Sequence, residues 1–233
     1  MGYKRVLLKL SGEALAGDKK TGFDEATCVA VGKQVKQMVD KGIEVAIVIG
    51  GGNFWRGRSS ETIDRVKADH IGTLATVMNC IYVSEIFRFC GMKTSVFTPF
   101  ACGSFTELFT KDKAVEALEA GKVIFLAGGT GHPFFSTDTA TSLRAIELNC
   151  DVILMARAID GVYDSDPKKN PDAKKFDTIS FAEVLERKLA ILDMTATVMC
   201  MEHKVPLFVF SLNEENSIAR AAFGEPIGTT VTP

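Results

Sequence analysis

This sequence has little of several residue types on which specialised sites are built. Its 233 residues include three histidines, three tyrosines and one tryptophan, and no two of its six cysteines have Cys-x-x-Cys spacing. The histidines do not cluster with cysteines as zinc ligands do, which argues against a zinc site. Several cysteines lie in apolar surroundings, as free buried thiols do. The six are Cys28, Cys80, Cys90, Cys102, Cys150 and Cys200.

A large net charge and a long hydrophobic run are also missing. The net charge is −2 and the isoelectric point is about 6.0, so the composition points neither to nucleic acid nor to an anionic membrane as a partner. The longest uncharged apolar stretch, residues 71–84, is shorter than the ~20 apolar residues of a membrane-spanning helix. The N-terminal apolar run is too short for a signal peptide. We therefore expect a cytoplasmic protein.

Strand-like and helix-like segments alternate along the chain. Most of the strand candidates are continuous apolar runs, which is typical of strands covered on both faces. The fold class is therefore predicted as a three-layer α/β/α sandwich with a mostly parallel central sheet. The predicted strands are 5–9, 44–49, 94–97, 123–127, 152–156 and 207–210. The predicted helices are 25–41, 64–90, 111–120, 137–149, 180–188, 195–203 and 215–221.

Two segments bear on how the chain is organised. Residues 64–90 are apolar on nearly every side, which predicts a helix buried all round, with a subunit interface as the alternative. Residues 166–172 form the most polar, proline-bearing stretch and predict a loop or hairpin end. We expect one domain with an N-terminal part of about residues 1–150 and a C-terminal part of about residues 151–233.

The first strand ends in Lys9-Leu10-Ser11-Gly12. A buried strand that carries Lys9 to its carboxyl end places a positive charge where α/β sheets bind ligands. Ser11 and Gly12 lack bulk, so the backbone there can approach a bound anion closely.

The second strand ends in Gly50-Gly51-Gly52, followed by Arg56. Glycines after a buried strand leave backbone N–H groups free to face a ligand, and Arg56 offers a forked charge for phosphate oxygens. The alternative is a tight turn with a surface arginine. The run Gly52-x4-Gly57-Arg58-Ser59 also approaches a P-loop, but it has arginine where that motif needs lysine.

A third strand leads into residues 127–139, where glycines precede hydroxyl groups and Asp138. Ser136 or Thr137 is well placed as a helix N-cap, and a helix N-terminus of this kind can bind an anion. Asp138 could cap the helix or orient a reacting group or metal. Phe134 and Phe135 could stack on a base or pack in the core.

Two later segments carry weaker signals. After the strand 152–156, Tyr163 offers an aromatic face for a purine, and Asp166 offers a carboxylate for a ribose or a cation. An acidic surface turn is the alternative for this segment. Asp193 precedes a predicted helix and is expected to be its N-cap.

Taken in order along nearly the whole chain, these segments resemble the amino acid kinase family, and most closely its bacterial UMP kinase branch. The segment that is most specific to this branch contains Asp69. The motifs are Lys9-Leu10-Ser11-Gly12, Gly50-Gly51-Gly52-Asn53 with Arg56-Gly57, Ala68-Asp69-His70 with residues 74–79, residues 129–138, Asp160-Gly161-Val162-Tyr163 with Asp166-Pro167, and Leu192-Asp193-Met194-Thr195-Ala196.

The resemblance implies a kinase that transfers a phosphoryl group from ATP to UMP with magnesium, and it assigns residues to that reaction. The implied ATP-binding residues are Lys9, Leu10, Ser11, Gly12, Gly52, Arg56, Arg157, Tyr163 and Asp166. The implied UMP-binding residues are Gly51, Asp69, Thr130, Gly131, His132, Pro133, Phe134, Phe135, Ser136 and Thr137. The implied catalytic residues are Lys9, Arg56, Asp138 and Asp193.

The resemblance also implies a homohexamer, inhibition by UTP and a segment linked in some relatives to activation by GTP. That segment comprises Gly17, Asp18, Lys19, Lys20, Thr21 and Gly22. One departure stands out: Arg157 and Ala158 occupy positions where the family leads us to expect threonine followed by lysine or another polar residue. Three alternatives stay open, namely a family member that phosphorylates a carboxylate or carbamate, a non-catalytic nucleotide sensor or storage protein, and a P-loop NTPase.

Overall fold

Alternating strands and helices make up the residues that a computed structural model describes, which are 2–55 and 62–233. The strands are β1 (Arg5–Leu10), β2 (Glu44–Ile49), β3 (Lys93–Thr98), β4 (Glu107–Leu108), β5 (Lys122–Leu126), β6 (Val152–Arg157), β7 (Val162–Tyr163), β8 (Lys175–Phe176), β9 (Thr178–Ser180), β10 (Leu207–Ser211) and β11 (Gly228–Thr232). The helices are α1 (Gly12–Leu15), α2 (Glu25–Asp40), α3 (Arg65–Phe89), α4 (Lys111–Glu119), α5 (Thr137–Glu147), α6 (Phe181–Glu186), α7 (Met194–Glu202) and α8 (Ser217–Ala222), with a 3-10 turn at Gly17–Lys19.

In the described part of the chain, a sheet of nine strands has the order β4-β3-β5-β2-β1-β6-β10-β11-β9. The strands from β4 to β10 in this order are parallel, whereas β10 and β11 are antiparallel. The chain leaves β1 towards β2 on one side and later returns to β6 on the other. Ligands of such sheets bind in the crevice at the carboxyl ends of the strands at this switch point. The predicted fold class is confirmed.

Helices cover both faces of the sheet, which explains the continuous apolar strands. Side chains alternate between the faces of a strand, so Leu8 of β1 packs in one core with Phe87 of α3, while Leu7 packs in the other core with Ala145 of α5. Lys9 continues the Leu7 face and therefore points towards the α5 side, beyond the end of the apolar core.

One expectation from the sequence is corrected, and several short or polar strands were not among those predicted. Helix α3 has nearly the predicted bounds, but it is not buried all round: Ile71, Leu74 and Met78 are 39%, 53% and 48% exposed. The helix packs on the sheet through its other face, which includes Ala75, and leaves this apolar stripe uncovered. Strand β11 was not predicted, because its sequence Gly-Thr-Thr-Val-Thr is polar. Its extended conformation depends on backbone pairing with β10 and β9.

Other features agree with the sequence. The antiparallel pair β7 and β8 encloses the polar stretch 166–172, as predicted for a hairpin end. Burial raises the pKa of Cys80 and Cys150 to about 12 and that of Cys28 and Cys200 to about 11, so these four are neutral thiols near pH 7. No helix within the described ranges combines the length and the apolar character needed to cross a membrane.

Candidate functional site

One carboxylate holds two cations at the carboxyl ends of neighbouring strands. Lys9 Nζ, near the end of β1, lies 2.9 Å from Asp138 Oδ1. Arg157 Nη2, at the end of β6, lies 3.6 Å from Asp138 Oδ2. The Lys9 and Asp138 side chains are only 13% and 19% exposed. Because the pair is shielded from water, the charges of Lys9 and Asp138 interact more strongly than they would at the surface.

The N-terminal cap of helix α5 positions Asp138 beside these two cations. Ser136 is the N-cap of α5, and its Oγ accepts hydrogen bonds from the backbone N–H groups of Asp138 (3.0 Å) and Thr139 (3.2 Å). The predicted cap at Ser136 or Thr137 is therefore confirmed at Ser136. Asp138 lies in the first turn of α5, where the helix dipole favours a negative charge.

Asp193 joins the beginnings of two helices. Its Oδ1 accepts from the backbone N–H of Ala196 at 2.9 Å, so Asp193 is the N-cap of α7, as predicted. Its carboxylate also accepts hydrogen bonds from the hydroxyl groups of Ser136 and Thr139 in α5. Burial raises the pKa of this carboxyl, but the accepted hydrogen bonds, first that from Ser136, outweigh burial and hold its pKa below the usual value.

Asp69 accepts hydrogen bonds from its own helix and from the loop before α5. Arg65 Nε lies 3.0 Å from both carboxylate oxygens, and the backbone N–H of Phe134 donates to Oδ2 at 2.8 Å. The Arg65 guanidinium also lies 5.6 Å from the centre of the Phe134 ring. Phe134 has a φ of 71°, which is unusual for a residue with a large side chain. These contacts tie the loop before α5 to the first turns of α3.

The glycine turn after β2 packs closely on α3. A Cβ atom on Gly51 would lie 2.9 Å from the carbonyl oxygen of Gly72, so only glycine fits at this distance. The buried side chains of Asn53 and Asn79 exchange hydrogen bonds of 3.0 and 2.8 Å, and Asn79 also donates to the carbonyl of Gly50 at 2.7 Å. This amide pair fixes the turn to the helix.

The segment 17–22 is attached to the same turn. The Thr21 hydroxyl and the Gly22 N–H both donate to the carbonyl of Asn53, at 2.9 and 3.3 Å. The Asn53 side-chain amide donates in return to the carbonyl of Gly22 at 2.8 Å. A displacement of this segment would therefore be transmitted to the glycine turn.

Three adjoining cavities open along these strand ends, and we name them by their position. The α3 cavity, of about 150 Å³, lies between α3 and the loop before α5, and the central cavity, of about 520 Å³, contains Lys9 and Asp138. The hairpin cavity, of about 490 Å³, lies beside β7. The α3 and central cavities share Asp69, Phe135, Ser136 and Thr137, and the central and hairpin cavities share Arg157, Ala190 and Ile191.

The hairpin cavity is lined by both residues that the sequence singled out near β7. Tyr163 and Asp166 line it, and the Tyr163 hydroxyl donates to Asp160 Oδ1 at 2.8 Å. This hydrogen bond is the main cause of the raised pKa of Tyr163. Because its hydroxyl is held, the ring of Tyr163 has a fixed orientation at the wall of the cavity.

The structure brings most of the predicted acceptor residues together. Gly51, Asp69, Thr130, His132, Phe135, Ser136 and Thr137 line the α3 cavity. Phe134 lines the central cavity instead, and neither Gly131 nor Pro133 lines either of these two cavities. The predicted donor residues are more scattered. The Leu10 side chain lies in the core, Ser11 caps α1, and Gly52 lies against Glu13. Arg56 and the P-loop-like residues 57–59 lie outside the described residues.

Several lining residues were missed by the sequence analysis, although a signal for some of them exists. Gly72, Thr73 and Thr76 line the α3 cavity at spacings of three, four and seven residues from Asp69. Those spacings place them on one face of a helix, so a helix through Asp69 predicts them. Arg187 and Leu189, which line the hairpin cavity, had no comparable signal, because the loop that carries them is brought there by the packing of α6 and α7.

Comparison with known proteins agrees with this geometry. A UMP kinase from Bacillus anthracis has 36% sequence identity and a TM-score of 0.96, covering 100% of this chain and 97% of that protein. A UMP kinase from Ureaplasma parvum has 31% identity and a TM-score of 0.94, covering 100% of both chains. The model of the amino acid kinase family matches residues 4–211. With its sheet, its strand-end site and this match all in agreement, the chain belongs to the amino acid kinase family.

Proposed function

We propose that this protein is a UMP kinase, which transfers the γ-phosphoryl group of ATP to UMP and forms ADP and UDP. The observation that carries the proposal is the row of three adjoining cavities, in which the buried Lys9–Asp138 pair lies in the middle one. Two nucleotides bound from opposite ends would meet with their phosphates in the central cavity. The similarity to two UMP kinases over the whole chain supports the choice of UMP as the acceptor.

In this proposal UMP occupies the α3 cavity and extends into the central cavity. The α3 cavity alone is smaller than the ~300 Å³ of a typical small-molecule site, so the phosphate of UMP lies beyond it. Asp69 accepts hydrogen bonds from the ribose hydroxyls, and these replace part of its present bonding to Arg65 and Phe134. Thr130, Ser136 and Thr137 surround the acceptor from the loop before α5.

ATP occupies the hairpin cavity and reaches the central cavity with its terminal phosphate. The ring of Tyr163 gives an apolar wall for the base, and Asp166 gives a carboxylate for the ribose. Lys9 lies where the transferred group would pass between the nucleotides. Arg56 is proposed as a second cation for that group, on the strength of the family motif.

Positioning and charge stabilisation are the main demands of phosphoryl transfer. The acceptor is a phosphate oxygen that is already ionised, so no strong general base is needed. Lys9 faces the oxygens on which negative charge develops, and Asp138 holds its amine in place. Asp193 is proposed to act through Ser136 and Thr139, by fixing the N-terminus of α5 beside the reacting phosphates.

The residues of the central cavity fit a magnesium ion. Asp138 Oδ1 is buried; it is paired with Lys9 Nζ at 2.9 Å but accepts no well-directed hydrogen bond among the described residues, so this hard oxygen can serve as a ligand. Magnesium in kinases is held by one or two carboxylates together with substrate phosphates, and the described residues contain no larger acidic or histidine cluster. Asp138 is the residue that would hold it, and the ion would neutralise charge on the phosphates.

The family resemblance supports further parts of the proposal. They are a homohexamer, inhibition by UTP, activation by GTP through residues 17–22, and a cytoplasmic role in the supply of UTP and CTP. For the GTP segment, the supporting contacts are those of Thr21 and Gly22 with Asn53 in the glycine turn.

The test is an ADP-release assay with ATP and magnesium, to which UMP, CMP, dUMP, glutamate, aspartate and carbamate are added in turn. We expect turnover with UMP and none with the carboxylates or carbamate. Turnover with glutamate, aspartate or carbamate instead would assign the chain to another branch of the family. Tight ATP binding without turnover would indicate a nucleotide sensor or storage protein.

Three variants test which residues act on the transferred phosphoryl group. Lys9→Ala is expected to lower kcat at least ~100-fold, as for the loss of one preorganised charge at the reacting group. Lys36→Ala removes a lysine that pairs with Asp40 on α2 and should leave kcat unchanged. If Arg58→Ala abolished activity while Lys9→Ala did not, the P-loop alternative would be correct.

A further inference from the structure

We propose that Arg157 is a catalytic residue of this kinase, whose guanidinium binds the terminal phosphoryl group of the donor nucleotide while that group is transferred. The inference rests on the proposed kinase function and adds a catalytic role to the donor-binding role that the family resemblance implies. The position of Arg157 supports this role, because the residue lies at the end of β6 and lines both the central and the hairpin cavity. A nucleotide that runs from one cavity into the other must pass this side chain.

The Arg157 guanidinium is held in place, but the described residues do not use all of its N–H donors. Its Nε lies 3.1 Å from Met155 Sδ, its Nη2 donates to the carbonyl of Ile191, and the same Nη2 lies 3.6 Å from Asp138 Oδ2. Among the described residues Nη1 makes no hydrogen bond. A guanidinium has five N–H donors in a fixed fork, so donors remain for phosphate oxygens.

The charges nearest to Arg157 favour an anion at this place. Among the described residues, three cations and three carboxylates line the central cavity. Two of these carboxylates are engaged elsewhere: Asp69 pairs with Arg65, and Asp193 accepts hydrogen bonds at the N-termini of α5 and α7. Lys9 and Arg157 share the single carboxylate of Asp138, so this trio carries one net positive charge. Of the two contacts with Asp138, that of Arg157 is the longer. Arg157 therefore loses less interaction energy than Lys9 would when its guanidinium turns to a phosphate.

The chemistry requires no proton transfer from Arg157. An oxygen of the acceptor phosphate forms a bond to the γ-phosphorus, the bond from that phosphorus to the bridging oxygen breaks, and its electron pair stays on the β-phosphate of ADP. Negative charge on the transferring oxygens is met by a guanidinium that stays protonated throughout. An arginine at the reacting phosphoryl group of other phosphotransfer enzymes accelerates them in this way.

A structural role is the competing explanation, because Arg157 also bonds the Ile191 carbonyl in the loop before α7. The two roles differ in what they do to ATP and ADP. A cation that touches the terminal phosphate contributes to ATP binding and not to ADP binding, whereas a loop support affects both nucleotides alike.

The experiment compares Arg157→Gln and Arg157→Lys with Arg187→Gln. Arg187 also lines the hairpin cavity but pairs with Glu183, and none of its contacts involves Asp138. Dissociation constants for ATP and ADP are measured by titration, and kcat is measured with UMP. For Arg157→Gln we expect ATP binding to weaken at least ~10-fold with ADP binding within about 2-fold, and kcat to fall at least ~100-fold. Arg157→Lys should retain more activity than Arg157→Gln, and Arg187→Gln should change ATP and ADP binding equally.

A second measurement distinguishes a variant that has lost its fold from one that has lost only the guanidinium group. Arg157→Ala is assayed with added guanidinium ion at millimolar concentration, and its circular dichroism is compared with the wild type. Partial recovery of kcat supports direct action on the phosphoryl group. Equal losses of ATP and ADP affinity, or a folded Arg157→Ala that guanidinium does not rescue, would overturn the inference. If the wild type shows no turnover with UMP, the proposed function fails, and the ratio of ATP to ADP affinity still decides whether Arg157 contacts the terminal phosphate.

Discussion

The hydroxyl group of Thr139 donates to the carboxylate of Asp193, with distances of 2.9 Å to Oδ2 and 3.1 Å to Oδ1. Thr139 lies in the first turn of α5, and Asp193 is the N-cap of α7. The two residues lie far apart in the sequence, yet their contact fixes the two helix N-termini side by side. The loop that carries Ser136 and the cavity that contains Lys9 depend on this alignment.

Thr139→Val should destabilise the fold through the loss of this contact. Valine keeps the shape of threonine but leaves Asp193 without one donor, at a cost of about 1.5–3 kcal/mol for a hydrogen bond to a charged group. Thr141→Val is the matched control, because Thr141 is also buried in α5 but its hydroxyl donates to the carbonyl of Thr137 in its own helix. Urea unfolding of both variants measures the difference. Equal losses in the two variants would mean that the inter-helix contact adds nothing.

Asp193→Asn should change how stability depends on pH. The folded-state pKa of Asp193 is lowered, so its ionised form contributes stability that is present above the ordinary carboxyl pKa and is lost as pH falls through the folded value. The wild type should therefore be more stable than the variant near pH 6, and the gap should shrink towards pH ~3. Unfolding free energies across this range test the sign. A gap that is constant with pH would contradict it.

Asp69→Asn should weaken UMP binding far more than ATP binding. The variant loses the negative charge that accepts hydrogen bonds from the ribose, which corresponds to a loss of about 10-fold or more in affinity. Asp64→Asn is the control on the same helix, because Asp64 caps α3 and asparagine caps about as well. Calorimetric titration with each nucleotide gives the answer. Equal losses for UMP and ATP would remove Asp69 from the acceptor side.

Gly12→Ala should be strongly destabilising, although the residue lies at the beginning of a helix. A Cβ atom there would lie 2.5 Å from the carbonyl oxygen of Gly50 and 2.3 Å from Asn53 Oδ1, so the glycine turn would have to move. Gly72→Ala is the contrast, because its Cβ would meet the nearest heavy atom, in Trp55, at 3.6 Å. In the interior of a helix, alanine is favoured over glycine by about 1 kcal/mol, so this variant should be neutral or more stable. Thermal unfolding of both variants distinguishes them.

Much of the site could be predicted because its signals are local. Ser136 and Asp193 are capping residues, and capping depends on a side chain and an N–H group two or three positions away. The carboxyl end of β1 could be located because the apolar run stops there, and Lys9 follows from it. The bounds of α3 could also be predicted to within a residue, since its apolar and polar positions continue without a break.

The partners of those residues could not be predicted in the same way. Arg157 and Lys9 come to one carboxylate because β6 pairs with β1, a pairing of strands that lie far apart in the chain. The exposed stripe on α3 depends on which face of the helix meets the sheet, and an even apolar pattern does not specify that face. Strand β11 is ordered by its neighbours and not by its own composition.

The sequence by itself determined the three-layer architecture, the helix caps and the strand ends at which the charged residues stand, because hydrophobic periodicity and capping act over a few residues. Tertiary structure alone decided that Asp138 is shared by Lys9 and Arg157, that Asp69 is bound by Arg65 and the loop before α5, and that three cavities adjoin in one row. Those relationships depend on strand order and helix packing, which bring together groups that no local pattern links.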